Sequence, residues 1–163
     1  KFLYSTQSSL HSIGVAYNAI DGSRTNSWNQ ASCTYTNADF APWWRLDLGK
    51  AHKVFSVNIT NRRDGVPQQI NVAEIRIGDS LDNNSNNNPR CTVISSIPAG
   101  FTENFQCNGL DGRYVNIVIP GRSEHLILCE VEVCRNCLAE ADAFVQIHVA
   151  FKMLVPHIRV SLL

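Results

Sequence analysis

WWRLDLG at residues 43–49 and LILCEVEV at residues 126–133 are the two stretches of sequence that decide the fold. Apolar and polar residues alternate in both of them, and successive side chains of an extended chain point to opposite faces of a sheet. β-Branched and aromatic residues, which favour strands, are enriched in the same stretches. Both are therefore predicted to be strands with one face in a hydrophobic core.

Five shorter apolar runs lie between these two stretches, and turn residues bound each of them: residues 53–60, 73–81, 91–97, 104–109 and 112–120. The tract DNNSNNNPR at residues 82–90 cannot hold a strand interior and is predicted to be a polar loop. Short strands with turn signals every few residues are typical of an antiparallel β-sandwich. The pattern therefore predicts an all-β fold.

The chain of 163 residues is long enough for one globular domain, and its 14 basic residues balance its 14 acidic residues. This balance leaves no basic field that would attract nucleic acid. No stretch approaches the roughly 18 uncharged apolar residues of a membrane span. The sequence also lacks the motifs of nucleophilic, zinc-dependent and phosphate-binding enzymes. We therefore expect no nucleic-acid partner, no membrane span and no enzymatic activity.

Six cysteines in a domain of this size indicate an oxidising compartment. Two N-x-Ser/Thr sequons, at Asn58 and Asn83, are compatible with that compartment. No signal-peptide pattern is found at the start of the sequence, so we expect any leader to be absent from this sequence or already removed. The protein is therefore predicted to be secreted and extracellular. Spacing alone leaves every pairing of the six cysteines open.

The alternating pattern ends near residue 134, so residues 1–133 are predicted to form the domain and residues 134–163 a tail to which we assign no function. Cys134 and Cys137 form a lone CxxC in this tail. They are compatible with a small disulfide, an intermolecular bridge or a zinc half-site with His148 and His157. The spacing of these two histidines lies outside the usual finger range, which disfavours zinc.

Four segments taken together resemble the F-type lectin family, a fucose-binding fold related to the discoidin domain: AYNAIDGSR (16–24), SCTYTNADFAPWWRLDLG (32–49), VNITNRRDG (57–65) and GRYVNIVIPGRSEHLILCEVEV (112–133). The resemblance covers roughly residues 5–133. It implies an eight-stranded jelly-roll β-sandwich, and the family's first strand is expected to precede Lys1. It also implies two disulfides, one between Cys33 and Cys129 and one between Cys91 and Cys107.

The segment NAIDGS at residues 18–23 has two interpretations. From the residues alone, NAIDGS is too short to be a calcium loop and favours a turn in which Asp21 accepts hydrogen bonds from backbone amides. The resemblance implies instead a structural calcium ion bound by carboxylates and main-chain carbonyls, a mixture that suits this hard cation. The ligands carried over by motif are Asn18, Asp21, Ser23, Ser32, Cys129 and Glu130. In that case chelation should lower the stability of the domain.

The family's sugar motif, His-x26-Arg-x-Asp-x4-Arg/Lys, is altered in this chain. Arg62 and Asp64 are retained, whereas Tyr35 stands at the histidine position and Gln69 at the position of the final cation. Tyr35 and Gln69 still hydrogen-bond, but each replaces a cation or potential cation by a neutral group. Trp28 and Tyr35 are candidate platforms for a sugar, with core or rim packing as the alternative for each. The alternative for Arg62 is a solvated turn.

The resemblance implies a secreted, calcium-stabilised lectin that recognises fucose-related glycans in innate immunity, often as a homo-oligomer. The competing hypothesis is a discoidin-type interaction module that binds a protein or another glycan and has lost fucose binding. The changes at Tyr35 and Gln69 point towards this second hypothesis. Binding of free fucose distinguishes the two.

Overall fold

The computed structural model describes residues 3–135 and contains eight strands joined by loops and short 3-10 turns. No helix of that segment is long and apolar enough to cross a membrane. The predicted tail beyond Arg135, with Cys137, His148 and His157, lies outside the described residues. The strands are β1 Tyr4–Gln7, β2 Asp39–Phe40, β3 Trp43–Thr60, β4 Glu74–Gly78, β5 Arg90–Val93, β6 Thr102–Val118, β7 Ser123–Glu124 and β8 Glu130–Cys134.

Two long antiparallel strands, β3 and β6, run through both layers of the sandwich. They are paired from Trp43 opposite Val118 to Thr60 opposite Thr102, with irregularities in register after Asp47 and after Val54. The first half of β3 also pairs with β1, and the second half of β6 pairs with β4, which pairs with β5. The second half of β3 pairs with β8 instead. The predicted all-β jelly-roll sandwich of eight strands is confirmed.

Several predicted strand boundaries were wrong. The separate strands predicted at residues 43–49 and 53–60 are one strand, because a bulge lets the chain change layers without losing its partner. The runs at 104–109 and 112–120 are joined in the same way in β6. The predicted strand at residues 126–133 begins only at Glu130, because its first part is buried against the loop at residues 34–36 and bonds to that loop rather than to a strand.

One strand at the edge of the sheet was not predicted from the residue pattern. Tyr4–Gln7 forms a strand that pairs antiparallel with β3, from Tyr4 opposite Asp47 to Gln7 opposite Trp44. The residue pattern missed this strand because its four residues, YSTQ, carry a single large apolar side chain. The edge of β3 next to Trp44 is therefore covered by β1.

The core fills the space between the layers with the inward residues of the alternating pattern. Trp44 and Leu46 of β3 are buried, and the Trp44 indole N–H donates to the carbonyl of Ala16 at 2.9 Å. This bond satisfies the one polar group of the largest core side chain. The other fully buried large side chains are Ile59, Ile70, Ile75, Ile77, Ile94, Ile117, Ile119, Leu126, Leu128 and Val54.

Both disulfides implied by the resemblance are present. Cys33 is bonded to Cys129 across a sequence separation of 96 residues, and Cys91 to Cys107 across 16. The first bridge fixes the loop before β2 to the segment before β8, which lowers the entropy of the unfolded chain. Cys134 is also disulfide-bonded.

Backbone hydrogen bonds hold several loops together at one end of the sandwich. Tyr35 donates its N–H to the carbonyl of Gly14 and accepts from His11, both at 2.9 Å. A Cβ on Gly14 would lie 2.5 Å from the Tyr35 backbone nitrogen, so the two segments approach this closely only because residue 14 is glycine. Arg63 donates in the same way to Asn26 at 2.8 Å. These contacts place the side chains of the candidate site.

Candidate functional site

Tyr35 is the centre of a group of rings at the loop end of the sandwich. Its ring centroid lies 4.9 Å from Trp28, 5.1 Å from His125 and 4.6 Å from His11, and the first two rings meet it edge to face. The Arg62 guanidinium carbon lies 5.8 Å from the Tyr35 centroid. These five side chains are called the Tyr35 cluster below. The structure therefore brings together three of the predicted site residues, Trp28, Tyr35 and Arg62.

Asp64 holds the guanidinium of Arg62 in place. Its Oδ1 accepts from Nε of Arg62 at 3.1 Å and pairs with Nη2 at 3.0 Å, while its Oδ2 accepts from the Ser27 hydroxyl and the Trp28 N–H at 3.0 Å each. Burial favours a higher pKa for Asp64, but the bonds from Trp28, Ser27 and Arg62 outweigh it and lower the pKa below its ordinary value. Asp64 therefore carries its charge here and positions Arg62.

Arg62 is not a solvated turn residue. Only 8% of it is exposed, whereas the neighbouring Arg63 is exposed. A buried guanidinium is stable only when it is paired, and Asp64 supplies that pair. Within residues 3–135, no hydrogen bond is recorded for Nη1 of Arg62. The arrangement therefore offers a fixed cationic donor beside an aromatic ring.

Gln69 is joined to the Tyr35 cluster through Glu124 rather than by a contact with Arg62. Its Nε2 donates to Oε1 of Glu124 at 3.0 Å, and the same oxygen accepts the backbone N–H of His125 at 2.9 Å. Arg122 donates to the main-chain carbonyl of Gln69 at 3.0 Å. Gln69 thus fixes the segment that carries His125, in addition to any contact with a ligand.

The sequence analysis missed His11, Glu124 and His125. The Nδ1 of His125 lies 2.9 Å from the carbonyl of Thr36, and because a carbonyl only accepts, Nδ1 carries the proton. In that tautomer Nε2 is the acceptor nitrogen. No local signal could have identified His125, since it lies 90 residues from Tyr35 and meets it only because residues 126–128 bond to residues 34–36.

Two predicted calcium ligands, Asp21 and Glu130, bring carboxyl groups together where β8 begins. Glu130 is 4% exposed, and its Oε2 is buried without a hydrogen-bond partner. Burial, and next the charges of Asp21 and Glu132, raise the pKa of Glu130 to about 9. Partial burial also raises the pKa of Asp21, against the effect of a bond from the Ser23 N–H. A divalent cation beside these two groups would compensate both effects, so the donor set fits calcium.

The remaining predicted ligands surround the same turn but use their side chains within the loop. The Asn18 amide donates to the carbonyls of Ala31 and Cys33 at 3.1 and 3.0 Å. The Ser32 hydroxyl donates to Ser27, and the Ser23 hydroxyl to Thr25. Within residues 3–135, no three His, Cys, Asp or Glu side chains are placed so that they could hold a metal ion together, so a cation here would need backbone carbonyls as well.

Asp21 also makes the turn that the residues alone predicted, because the Ser23 N–H donates to its Oδ1 at 2.8 Å. The two interpretations of NAIDGS are therefore compatible. An Asx-type turn uses one carboxylate oxygen for the backbone, and the other stays available to a cation.

Comparisons with known proteins agree with this fold. Residues 18–117 match the F5/F8 type C family described as a NedA-like, galactose-binding domain. Fucolectin-4 of Anguilla japonica is 48% identical over 122 residues, which cover 74% of this chain and 67% of the relative. The fucolectin of Anguilla anguilla is 47% identical over 119 residues, which cover 72% of this chain and 75% of the relative.

Two solved structures are similar over most of the described residues. An F-lectin from the serum of Morone saxatilis has 65% sequence identity and a TM-score of 0.79 over 80% of this chain. A fucose-binding module of Streptococcus pneumoniae has 31% identity and a TM-score of 0.73 over 82% of this chain and 91% of its own. This chain covers only 44% of the Morone saxatilis lectin chain.

Proposed function

Because this chain belongs to the fucolectin family, we propose that it is a lectin that binds fucose-containing glycans at the Tyr35 cluster. The observation that carries this proposal is the buried Arg62 guanidinium, which Asp64 fixes beside the Tyr35 ring. Related fucolectins and a fucose-binding module are similar to this chain in sequence and fold. The family supports fucose binding, and the geometry supports the Tyr35 cluster as the place where it occurs.

The chemistry of the Tyr35 cluster suits a neutral sugar. Arg62 offers a charge-assisted donor to a ring oxygen or hydroxyl, and such bonds are about twice as strong as neutral ones. Nε2 of His125 offers an acceptor to a hydroxyl hydrogen. The faces and edges of Trp28 and Tyr35 offer apolar surface to the methyl group of fucose. Since Asp64 already holds Arg62, little ordering is needed on binding.

The direct test is calorimetric titration of the folded, disulfide-bonded protein with L-fucose in the presence of calcium. We expect saturable binding, with L-galactose, which has a hydroxymethyl group in place of the methyl group, binding less tightly. A folded protein that releases no heat with millimolar L-fucose would contradict the proposal.

Restoring the two altered positions should strengthen fucose binding. Each of Tyr35→His and Gln69→Arg adds a cationic or potentially cationic donor, worth roughly 1 kcal/mol, so we expect the double variant to bind about 30-fold more tightly. Glu124, which accepts from Gln69, would hold the new arginine. The measurement is the L-fucose Kd, with Gln68→Arg at the exposed neighbouring position as control. An unchanged Kd would mean that neither position contacts the sugar.

Gly65→Ala should weaken sugar binding through Arg62. A Cβ on Gly65 would lie 2.7 Å from Nη2 of Arg62 and push the guanidinium away, so we expect an affinity loss of about tenfold. Gly121→Ala is the matched control, because φ is +74° there against +77° at Gly65, and nothing lies within 4 Å of its added Cβ. Both variants should lose about 1 kcal/mol of stability from the left-handed backbone. If the two variants bind L-fucose equally well, Arg62 does not contact the sugar.

We also propose a structural calcium ion at Asp21 and Glu130, with Asn18, Ser23, Ser32 and Cys129 as further oxygen sources. The buried Oε2 of Glu130, which has no hydrogen-bond partner, supports this assignment. Bound calcium would supply positive charge to the two carboxyl groups. Cys129 is bonded to Cys33, two residues before Tyr35, so the site adjoins the loop that carries the sugar pocket.

Secretion, homo-oligomers and a role in innate recognition of glycans complete the proposal. Two disulfides among residues 3–135 support an oxidising compartment. Oligomers would raise the avidity of a weak single site without new contacts. Binding alone requires no catalytic group.

The second candidate function is a discoidin-type module that binds a protein or another glycan. One observation favours it. The last position of the sugar motif holds the neutral Gln69 in place of a cation, and the Gln69 amide already donates to Glu124. A folded protein that does not bind L-fucose but binds another sugar on a glycan array would favour it.

A further inference from the structure

A second concave surface lies away from the Tyr35 cluster and shares no residue with it. It is a groove of about 390 Å³, which is within the range of roughly 300–1,000 Å³ that is usual for ligand pockets. Its lining includes Phe40, Trp43 and Pro120 together with Asn83 and Asn84. We call it the Asn83 groove. It combines aromatic surface with amide groups and the ion pair between Arg76 and Glu74.

The polar loop at residues 82–90 forms one wall of this groove and is fixed against the outer face of the sheet. Asn116 of β6 donates to Oδ1 of Asn86 at 2.7 Å, and Arg45 of β3 donates to the Ser85 hydroxyl at 3.4 Å. Ser85 itself is fully buried. The loop therefore holds Asn83 at a defined place on the groove wall.

Asn83 begins a sequon, Asn83-Asn84-Ser85, and its side chain is exposed. Its φ of +48° and that of Asn84, +57°, lie in the left-handed region, which asparagine tolerates better than most residues. The Asn83 Nδ2 donates to Oδ1 of Asn87 at 3.3 Å, a bond on the protein surface, so the exposed amide stays accessible at the groove.

The other sequon cannot carry a glycan in the folded protein. Asn58 lies in β3 between β6 and β8 and is 7% exposed. Its Nδ2 donates to Oε2 of Glu132 at 3.0 Å, and its Oδ1 accepts from Asn104 at 2.6 Å. A sugar on that nitrogen would have to displace a neighbouring strand. The sequence alone does not distinguish the two sequons. Their different burial in the folded protein does.

Phe40 gives the groove an apolar wall that protein atoms leave uncovered. It is 73% exposed, the largest exposed fraction among the large apolar residues between 3 and 135. The apolar face of a sugar ring packs well on an aromatic ring, and the asparagine amides that line the same groove match sugar hydroxyl and acetamido groups. The first sugar of a glycan attached to Asn83 would lie at this groove, because Asn83 is one of the residues that line it.

We propose that Asn83 carries an N-linked glycan whose first N-acetylglucosamine lies in the Asn83 groove against Phe40 and Trp43. The donor is a lipid-linked oligosaccharide diphosphate of the secretory pathway. The Asn83 Nδ2 forms a bond to C1 of the sugar and loses one proton, while the bond from C1 to the diphosphate oxygen breaks and the lipid diphosphate leaves. The proposal depends on entry into that pathway and is independent of fucose binding.

The first test is site-specific glycopeptide mass spectrometry of the full chain secreted from eukaryotic cells. We expect Asn83 to be glycosylated and Asn58 to be unmodified. Asn83→Gln should remove the mass of one glycan. An unmodified Asn83, or a glycan on Asn58 in folded protein, would overturn the proposal.

The second test is thermal unfolding after the glycan has been trimmed to its first N-acetylglucosamine. We expect this protein to unfold about 2–4 °C above Asn83→Gln, a shift that corresponds to a single modest contact in a domain of this size. In a Phe40→Ala background the shift should vanish, because the aromatic wall is gone. Phe40 is exposed, so this variant should keep its fold.

The attached sugar could raise the unfolding midpoint equally in the protein with Phe40 and in the Phe40→Ala protein. That result would overturn the placement of the sugar in the groove. Binding of soluble N-acetylglucosamine oligosaccharides by Asn83→Gln, with no stabilisation from the attached glycan, would also overturn it. The groove would then be a site for a free ligand.

Discussion

Chelation of calcium is expected to lower the thermal unfolding midpoint of this protein by about 10 °C. A ligand that binds only the folded state stabilises by about 4 kcal/mol at a concentration 1,000 times its Kd. For a domain of this size each 1 kcal/mol corresponds to roughly 2–4 °C. The physical reason is the buried carboxyl of Glu130, whose Oε2 has no hydrogen-bond partner and whose neighbour Asp21 is also acidic. Scanning calorimetry in calcium and in chelator measures the effect.

Two variants connect this effect to the proposed site. Asp21→Asn and Glu130→Gln should each remove most of the stabilisation by calcium. In chelator at pH 7, Glu130→Gln should unfold near the parent temperature, because a carboxyl with a pKa of about 9 is already protonated there. Asp82→Asn, which removes an exposed carboxylate elsewhere, is the control and should keep the full response. A parent protein whose midpoint is the same in calcium and in chelator would exclude the calcium site.

Arg62→Ala is expected to weaken L-fucose binding by about 10 to 100-fold. Hydrogen bonds to charged groups contribute roughly 1.5–3 kcal/mol, and each 1.4 kcal/mol is a factor of ten in affinity. The variant also leaves Asp64 without its cationic partner, so the free energy of unfolding should fall by about 1–3 kcal/mol. Calorimetric titration and denaturant unfolding measure the two effects separately.

Neighbouring substitutions separate the role of the guanidinium from that of charge. Arg63→Ala removes an adjacent, exposed arginine and should leave the affinity unchanged. Arg62→Lys keeps the charge but loses the planar fork that reaches Asp64 through Nε and Nη2, so we expect intermediate affinity. An Arg62→Ala protein that is folded and binds L-fucose like the parent would move the sugar site away from the Tyr35 cluster.

The alternation of apolar and polar residues predicted the all-β class and the position of most strands. In WWRLDLG, Trp44 and Leu46 are buried as the period of two requires. Alternation is a local property, so it is readable without a structure. Where the chain changes layers through a bulge, between Asp47 and His52, the local signal is interrupted although the strand continues. The pattern therefore divided β3 and β6 into shorter strands.

Alternation within contiguous residues indicated the fold class, and the resemblance carried by the sequence motifs implied the family, the two disulfides and the presence of Arg62 and Asp64 in the sugar motif. The ion pair between Arg62 and Asp64, the contacts of His11 and His125 with Tyr35, and the bond from Gln69 to Glu124 became visible in the tertiary structure. It also decided that Asn83 is exposed and Asn58 is buried. These contacts join residues that are distant in the chain, and they exist only once strand pairing and loop packing have fixed which segments meet.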